Sequence, residues 1–442
     1  MTEIPAGFAA SMLAQLGADE GTRLLAALDT EPVTGIRLNA AKGIDAPGYA
    51  KKVPWAERGY VLSERPSFVL DPAWHQGRYY VQEPASMFAG TVIAQALDTG
   101  NSVKVLDLCA APGGKTTAVA DALPAGSLLI ANEFVPKRAE ILGENVLKWG
   151  RPDMVVTRGD TSPLCQALDG CMDLVIADVP CSGEGMMRKE EEARRQWSPG
   201  LVADCAALQR EIAANGARAL REGGLMLYST CTFNAEENEH NVEWICAELD
   251  FEVVDVPADP VWGLRSHGPG WHFYPHLTGS EGLYVCLLRK VATAHRARMP
   301  KKLPKPVRAD LPWCDTGGRV LYEHDDQLFA ISEEYLPHMQ AIGRQVLQPG
   351  TPIAAAGKRG WEPTHAAAMS QLFRRGAFTE VELNEEQALR YLARRTDGLP
   401  ETSARGYVLT TYHDMPLGWL KALGNRYNNL YPQNWRIRQN VP

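Results

Sequence analysis

Along the first two thirds of the chain, apolar residues follow either a helical spacing or short continuous runs. The spacing of the apolar residues between Phe8 and Leu28 predicts one amphipathic helix over this stretch. Residues 32–84 are rich in Pro, Gly and aromatic residues, and their apolar runs are short. We therefore expect residues 1–85 to form a mixed α/β region.

A regular alternation of strand-like and helix-like segments begins near residue 86. Apolar runs predict seven strands, at residues 103–108, 127–131, 153–156, 174–177, 225–229, 251–254 and 283–288. Other segments predict helices, at residues 86–97, 116–123, 137–149, 201–220 and 235–249. Strands that alternate with helices are typical of a doubly wound parallel sheet. The sequence thus predicts an α/β fold over residues 86–291.

The next segment, residues 292–316, has the composition of a linker. Its central part, His295–Arg308, contains six Lys or Arg residues, three Pro and no acidic residue, so we expect it to be extended and exposed. Beyond it, residues 317–442 show short strand-like runs around an amphipathic stretch at 385–395. This pattern predicts a small, separate, strand-rich domain.

Composition places the chain among ordinary globular proteins. Of its 442 residues, 45% are hydrophobic and 22% are charged, which excludes a disordered, collagen-like or coiled-coil chain. No apolar run approaches the roughly 20 residues that span a bilayer, and we expect neither a membrane partner nor a secretory signal. Nine cysteines, none of them in a C-x-x-C pair, favour reduced thiols and a cytoplasmic protein.

Charge is distributed unevenly along the chain. Residues 292–442 carry 20 Lys or Arg against 15 Asp or Glu, whereas the first 291 residues carry 25 against 38. A basic C-terminal part suggests a polyanionic partner. A surface with unevenly distributed solvated charge explains the same numbers, so charge alone leaves both interpretations open.

The strongest local signal is DLCAAPGGKT at residues 107–116, between a predicted strand and a predicted helix. Glycines allow a ligand to approach the backbone closely, and the amides of a helix N-terminus point toward it. One interpretation is a phosphate-binding P-loop, which lacks only its first Gly because Cys109 stands there. LVIAD at 174–178 even resembles a strand that ends in a magnesium-binding Asp. The alternative is a nucleoside-binding loop of the Rossmann type.

Acidic residues after the later strands favour the nucleoside-binding interpretation. Glu133 follows the second strand, where a carboxylate accepts hydrogen bonds from ribose hydroxyls. Asp160 follows the third strand, where we expect it to bind an adenine edge. One such acid is more often a helix N-cap or a surface residue, but acids at successive strand ends reverse those odds.

Two cysteines follow the next two strands. Cys181 lies in DVPCSG after the fourth strand, and Cys231 lies in YSTCT after the fifth. If these strands are neighbours, both thiols face one crevice, because ligands of open α/β sheets bind at the carboxyl ends of the strands. A cysteine is more often a buried hydrophobe than a nucleophile, but the neighbours of these two place them on turns.

These motifs resemble those of the S-adenosylmethionine-dependent RNA cytosine-5 methyltransferases of the Nop/Sun class. The resemblance covers roughly residues 30–290 and rests on CAAPGGKT, DVPCSGEG and YSTCTFNAEENE, with QEPAS upstream. It implies the Rossmann-like class I methyltransferase fold. It also implies that a loop and three acids bind S-adenosylmethionine: Cys109, Ala110, Ala111, Pro112, Gly113, Gly114, Lys115, Glu133, Asp160 and Asp178.

The same resemblance implies that Cys231 is the nucleophile, that Cys181 acts in product release and that Asp178 also acts near nitrogen 3 of the base. A nucleophile is needed because carbon 5 of cytosine attacks a methyl sulfonium only after a thiolate has added to carbon 6. The residues alone leave open which thiol attacks. Because the target base must leave its stack, we expect an unpaired RNA segment. Arg188 and Lys189 are candidate phosphate contacts, or else part of a solvated charge run.

The C-terminal domain resembles the appended module of the bacterial ribosomal-RNA members, for example in PLGWLK at 416–421 and NNLYPQNWRI at 428–437. Such modules are often PUA-like, small barrels that bind RNA. Aromatic and basic residues alternate here, which fits base stacking with phosphate contact and equally fits a packed core. These residues are Trp419, Tyr427, Tyr431, Trp435, Lys421, Arg426, Arg436 and Arg438.

Taken together, these features predict a cytoplasmic monomer that methylates carbon 5 of a cytosine in RNA. Ribosomal RNA or the small ribosomal subunit is the first choice of partner, and transfer RNA is the alternative. A P-loop nucleotide-binding protein and an RNA-binding module without turnover are more remote. No metal site is expected, because His267, His272 and His276 lack cysteine companions.

Overall fold

The computed structural model of this protein describes residues 2–97, 100–358 and 360–441. A central sheet of nine strands is accompanied by three sheets of four strands each. Within the described ranges, no helix has both the length and the apolar character that crossing a bilayer requires.

The amino-terminal segment forms two helices, α1 (Ala6–Leu16) and α2 (Ala18–Leu28), so the prediction of one helix over residues 8–28 is wrong. Gly17 between them has a φ of 82°, a left-handed conformation that glycine adopts without strain, and the chain turns there. The apolar residues nevertheless share one core. The fully buried members are Phe8, Met12, Leu24 and Leu28.

A four-stranded antiparallel sheet follows, as a mixed region requires. Its elements are β1 (Thr34–Leu38), β2 (Lys51–Lys52), β3 (Gly59–Leu62), α3 (Pro72–His75) and β4 (Tyr79–Val81). The strand order is β2-β3-β1-β4. This places β1 in the middle of the sheet, where all five of its residues are buried.

Arg37 of β1 fastens this sheet to the central domain. Its guanidinium donates to Gln82 Oε1 at 2.8 Å and to Thr117 Oγ1 at 2.6 Å, and it forms an ion pair with Asp121. It also lies 4.5 Å from the ring centre of Trp149. Because Arg37 is only 5% exposed, these contacts fix the two parts of the chain against each other.

The central domain alternates helices and strands. Its elements are α4 (Phe88–Ala96), β5 (Lys104–Asp107), α5 (Gly114–Ala122), β6 (Leu128–Glu133), α6 (Pro136–Trp149), β7 (Met154–Arg158), α7 (Thr161–Ala167), β8 (Met172–Asp178), α8 (Glu191–Gln196), α9 (Pro199–Ala219), β9 (Leu220–Thr230), α10 (Glu239–Leu249), β10 (Phe251–Val254), β11 (Trp271–Phe273), α11 (Pro275–Thr278) and β12 (Leu283–Lys290). All seven strands predicted from apolar runs are present, with ends that differ by a few residues.

The strand order of this domain is β10-β12-β9-β8-β5-β6-β7. Strands β5 to β9 are parallel, as predicted, but β12 runs antiparallel between β9 and β10, so the sheet is mixed. β12 begins at the end of the sheet where β10 finishes, so the connection between them does not have to cross the sheet. The order of the strands reverses between β5 and β8, and ligands of such sheets bind in the crevice at that point.

Helices cover both faces of the sheet. Successive residues of a strand point to opposite faces, and in β5 Val105 packs in one core cluster while Leu106 packs in the other. The first cluster includes residues of α4, α5 and α6, and the second includes residues of α7, α9 and α10. The doubly wound α/β prediction is therefore confirmed.

Between residues 291 and 319 the chain forms no helix and no strand of a sheet, in agreement with a linker composition. It lies along the central domain, because Ala297, Met299 and Leu303 are half-buried against its second core cluster. The apolar residues of the segment thus face the protein core, and most of its basic residues are exposed.

The C-terminal part forms two further four-stranded sheets, β13-β14-β16-β17 and β18-β19-β20-β21. Its elements are β13 (Val320–His324), β14 (Gln327–Ile331), α12 (Leu336–Ile342), β15 (Val346–Gln348), β16 (Thr351–Gly357), β17 (Gly360–Pro363), α13 (His365–Met369), β18 (Thr379–Glu382), α14 (Glu385–Leu392), β19 (Arg405–Tyr412), β20 (Met415–Leu423) and β21 (Tyr427–Asn429).

The first portion of this part is attached to the central domain. The sequence pattern instead predicted a separate domain. β15 pairs antiparallel with β7 at the edge of the central sheet. α12 packs in the second core cluster, and the Tyr335 hydroxyl just before it donates to the Gly126 carbonyl at 2.6 Å. Such long-range pairing leaves no local mark in a sequence.

We expect Leu336→Ala to lower the free energy of unfolding by about 2–5 kcal/mol, because it removes a side chain that is 2% exposed in the shared core. Leu347→Ala is the matched control, since Leu347 of β15 is 41% exposed. Its cost should stay below about 1 kcal/mol. Urea unfolding of the full chain measures both. Equal effects would contradict the packing of α12 against the central sheet.

Candidate active site

The loops that follow the parallel strands meet at the carboxyl edge of the sheet, and Asn132 fixes their spacing. Its amide nitrogen donates to the Leu108 and Gly159 carbonyls, each at 3.1 Å. The Thr157 hydroxyl donates to its amide oxygen at 2.9 Å. The loops after β5 and β7 are therefore held on either side of β6.

The loop of residues 109–115 is held by side chains of α6. Arg138 donates to the Ala111 carbonyl at 2.8 Å, and Asn145 donates to the Pro112 carbonyl at 2.8 Å. Gly113 has a φ of 109°, which a side chain would strain, and α5 begins directly after it. The amides of the first turn of α5 thus face the crevice, as the motif predicted.

Asp107, at the end of β5, is a site residue that the sequence analysis did not single out. It is 2% exposed, and its Oδ2 accepts from the Thr116 hydroxyl at 2.7 Å, whereas its Oδ1 has no partner among the described residues. Burial raises its pKa to about 7; the Thr116 hydrogen bond opposes this, and the charge of Asp178 adds to it. An unpartnered oxygen beside a glycine loop fits a ligand that brings a cationic donor.

The two other predicted acids differ in their surroundings. Glu133 at the end of β6 is 3% exposed, accepts from the Val135 amide at 2.8 Å and lies 3.5 Å from Arg138. Asp160 is exposed and caps α7 by accepting from the Ser162 amide at 2.7 Å. Asp160 therefore has the N-cap role that the sequence analysis weighed as its alternative, and that role occupies only one of its oxygens.

Asp178, at the end of β8, lies between two donors. Lys115 Nζ is 2.9 Å from its Oδ1 and 3.0 Å from its Oδ2, and the Ser229 hydroxyl donates to Oδ1 at 2.8 Å. Burial lowers the pKa of Lys115, but the charge of Asp178 and its hydrogen bond with Lys115 outweigh this effect, so the pKa is raised. Lys115 thus remains a cation close to Cys231.

Cys181 and Cys231 meet because β8 and β9 are parallel neighbours. Their sulfurs are 2.8 Å apart, and the Cys231 amide donates to the Cys181 sulfur at 3.3 Å. The hydrogen bond with Cys231 and then burial raise the pKa of the Cys181 thiol well above its ordinary value. Cys181 therefore keeps its proton. Both residues are half-buried and free of disulfide bonds.

Two buried glutamates connect the cysteine loops. Both lie inside the cysteine motifs, but the sequence analysis assigned no role to either. Glu184 accepts from the Phe233 and Asn234 amides at 2.8 and 3.0 Å, and its other oxygen accepts from the Trp197 indole at 2.9 Å. Glu184 is three positions after Cys181, so its side chain joins that loop to the one after Cys231.

Glu237 makes the reverse connection. It accepts from the Ser182 amide at 3.0 Å, from Asn234 at 2.8 Å and from Gln209 at 2.7 Å. Burial raises its pKa, and these hydrogen bonds oppose the shift. The position of both acids inside the cysteine motifs is the signal that could have identified them.

Arg188 is not a phosphate contact, so that prediction is wrong. Arg188 is 6% exposed and donates to both carboxylate oxygens of Glu281 at 2.8 Å. The Glu281 amide in turn donates to Glu83 at 2.8 Å, which ties the QEPAS segment to the site. Lys189 lies 3.6 Å from Glu281. The partner of Arg188 is 93 positions away, beyond the reach of local sequence patterns.

The C-terminal aromatic residues form a packed core. Trp419 and Tyr431 are 1% and 0% exposed, and Tyr427 and Trp435 are half-buried. The Tyr431 hydroxyl lies 2.8 Å from His75 of the amino-terminal region. Base stacking on these rings is therefore not supported. Arg426, Arg436 and Arg438 are exposed.

The three histidines singled out earlier lie close together without forming a metal site. His272 is buried, with Nε2 2.5 Å from Glu239, and its ring stacks on that of Tyr274. His276 lies 3.5 Å from Glu20. Across the described ranges, no group of three or more His, Cys, Asp or Glu residues is arranged to hold a metal ion.

Three family models match successive parts of the chain. Residues 4–84 match the N-terminal domain of 16S rRNA methyltransferase RsmF, and residues 94–289 match 16S rRNA methyltransferase RsmB/F. Residues 378–437 match the PUA domain of methyltransferase RsmF. These matches favour the nucleoside-binding interpretation of the 109–115 loop over the P-loop.

Curated relatives match most of the chain. Ribosomal RNA small subunit methyltransferase F of Klebsiella pneumoniae is 30% identical over 409 residues, which covers 86% of this chain and 83% of that protein. The protein of the same name from Shewanella woodyi is 31% identical over 425 residues, with coverage of 90% and 86%.

Solved structures share the fold. NSun6 from Pyrococcus horikoshii with SFG superposes with a TM-score of 0.54 at 19% identity, and covers 65% of this chain and 98% of that one. A methyltransferase homologue from the same organism has a TM-score of 0.53 at 23% identity, with coverage of 64% and 94%.

We expect Asp107→Asn to change how stability depends on pH. In the folded protein the Asp107 pKa is raised to about 7, so this state binds more protons than the unfolded chain between pH ~4 and ~7. The free energy of unfolding should fall as the pH rises through this window, by up to ~1.4 kcal/mol per unit. Asparagine does not ionise, so the variant should lose this decline.

Urea unfolding at a series of pH values measures the effect. Asp310→Asn, at an exposed carboxylate, is the control and should behave as the unmodified protein does. Identical pH profiles for Asp107→Asn and the unmodified protein would contradict the role assigned to burial.

Proposed function

Because this chain belongs to the 16S rRNA methyltransferase RsmB/F family, we propose that it transfers a methyl group from S-adenosylmethionine to carbon 5 of a cytosine in ribosomal RNA. The observation that carries the proposal is the pair of cysteine sulfurs 2.8 Å apart at the ends of β8 and β9. Ribosomal RNA as substrate rests on the names of the relatives. The choice of carbon 5 of cytosine rests on the two thiols. One can add to carbon 6 and so activate carbon 5, and the other can act in product release.

The residues at the carboxyl edge fit S-adenosylmethionine, which supplies an electrophilic methyl group on a sulfonium sulfur. The unpartnered oxygen of Asp107 suits its cationic amine, and Glu133 suits the ribose hydroxyls. Asp160 would bind the adenine edge. Phe134, which follows Glu133, is 68% exposed and offers an apolar face beside that position. The loop at 109–115 would enclose the rest.

Cys231 would activate the base. Its thiolate adds to carbon 6 of cytosine, a sulfur–carbon bond forms, and the electron pair of the ring double bond moves to carbon 5. Asp178, held by Lys115 and Ser229, presents a carboxylate that would hold a proton at nitrogen 3 and so stabilise the adduct.

Cys181 would complete the reaction. After methylation the carbon-5 proton must leave, the double bond must re-form and the Cys231 sulfur must depart as a thiolate. Cys181 is in contact with that sulfur and keeps its own proton until the adduct forms, so it would pass this proton to the departing Cys231 sulfur and take up the proton from carbon 5 in its place.

The flanking regions would bind RNA, in line with the family matches at residues 4–84 and 378–437. In the C-terminal region this binding would use exposed cations such as Arg426, Arg436 and Arg438, because the aromatic rings are packed inside. A reducing compartment, such as the cytoplasm, would keep both thiols free. We expect the protein to act as a monomer.

Cys231→Ala should abolish methyl transfer, with a loss of at least about 10³-fold, because the attacking sulfur is gone. Cys246→Ala is the matched control, since Cys246 is a half-buried cysteine on α10 outside the site, and it should keep full activity. Transfer of labelled methyl groups from S-adenosylmethionine to ribosomal RNA measures both. Activity retained in Cys231→Ala would remove the nucleophile assignment.

Cys181→Ala should transfer methyl groups for a single turnover and then accumulate protein joined covalently to RNA, because release of the Cys231 sulfur lacks its proton carrier. A denaturing gel detects the joined species as a band of reduced mobility. The double variant Cys181→Ala with Cys231→Ala should give no such band. Multiple turnover by Cys181→Ala without any adduct would contradict the release role.

A further inference from the structure

The basic segment at residues 295–308 is the strongest concentration of positive charge that the proposed reaction leaves without a role. It contains Arg296, Arg298, Lys301, Lys302, Lys305 and Arg308. All six are exposed, and among the described residues none of the six forms an ion pair with a carboxylate. Unpaired cations in such a density attract a polyanion.

This segment is held in a fixed position on the central domain. The Ala297 amide donates to the Asp169 carbonyl at 2.7 Å, just before β8. The His295 carbonyl lies close to the backbone of Gly170, whose φ is 63°. A Cβ on residue 170 would lie only 1.7 Å from this carbonyl oxygen, so the contact requires glycine. With Met299 packed on the second core cluster, the cations form an ordered array and not a free tether.

Neighbouring residues leave the same surface positive. Arg218 and Arg221 are about half exposed and pair with Asp169 and Asp173, the acids of this edge. Positive charge also surrounds the nearby His338. Burial and then the charges of Lys104 and Arg296 lower its pKa to about 4. Asp169 and Asp173 are thus compensated, and the six cations of the segment add positive charge to this surface.

The basic surface and the cysteine pair lie at opposite edges of the sheet. β8 begins beside the segment at Met172 and ends at Asp178, three residues before Cys181. Seven residues of a strand span roughly 20 Å. A phosphate bound at the basic surface therefore belongs to a nucleotide other than those that flank a base at Cys231.

We propose that the basic edge, defined as residues 295–308 with Arg218 and Arg221, binds the phosphate backbone of a second segment of the substrate RNA. The identity of the polyanion as RNA rests on the proposed function. The charge pattern suits a nucleic acid backbone better than a membrane, because the apolar residues Ala297, Met299 and Leu303 face the protein core and none is left to enter a bilayer.

The test compares two triple variants at the same exposed positions. Lys301→Gln, Lys302→Gln and Lys305→Gln remove three charges, whereas Lys→Arg at the same positions keeps them. Filter binding of the full chain to full-length small-subunit ribosomal RNA is measured over a range of KCl concentrations. Each phosphate contact contributes about 0.7–0.9 to the slope of log affinity against log salt, so the Gln variant should show a slope smaller by about 2–3.

The Arg variant should bind with the slope of the unmodified protein, because the contact depends on charge. Methylation of the trinucleotide CCC should be the same in all three proteins, since it is too short to reach the basic edge. An unchanged slope in the Gln variant would overturn the proposal. A second result would also overturn it: the unmodified protein binds phosphatidylglycerol vesicles, and the Gln variant loses this binding but binds RNA normally.

Methyl transfer with an unchanged salt slope in the Gln variant would refute the basic edge and leave the reaction standing. A charge-dependent slope in a protein that transfers no methyl group would support the basic edge and refute the reaction.

Discussion

The parallel pairing of β8 with β9 is the constraint on which the site depends. Asp178 is the register partner of Ser229, and the Ser229 hydroxyl donates to its carboxylate at 2.8 Å. Cys181 and Cys231 follow these partners by three and two residues, so aligned strand ends bring their sulfurs together. A shift of one residue in this register would reverse the side chains and separate the thiols.

Two buried carboxylates then keep the cysteine loops in place, and burial also affects the pKa of Cys181. Glu184 and Glu237 each accept hydrogen bonds from the opposite loop, so the loops after Cys181 and Cys231 move as one unit. Carboxylates buried in this way are stable only when several donors satisfy them. The hydrogen bond with Cys231 and then burial raise the pKa of Cys181.

The amino-terminal region and the first C-terminal portion pack directly against the central domain. Arg37 fixes the amino-terminal sheet beside the 109–115 loop, and α12 with β15 adds the first C-terminal portion to the other side of the sheet. The flanking regions and the cysteine loops therefore keep fixed positions relative to one another.

Apolar runs and short loops are local properties of a chain, so the succession of strands and helices and the motifs at the strand ends can be predicted from the sequence. These motifs include Cys181, Cys231, Asp178 and the 109–115 loop. The folded chain alone reveals that β12 runs antiparallel, that Arg188 pairs with Glu281 and that Trp419 is core. These depend on partners far apart in the chain, and pairing over such distances leaves no periodicity to detect.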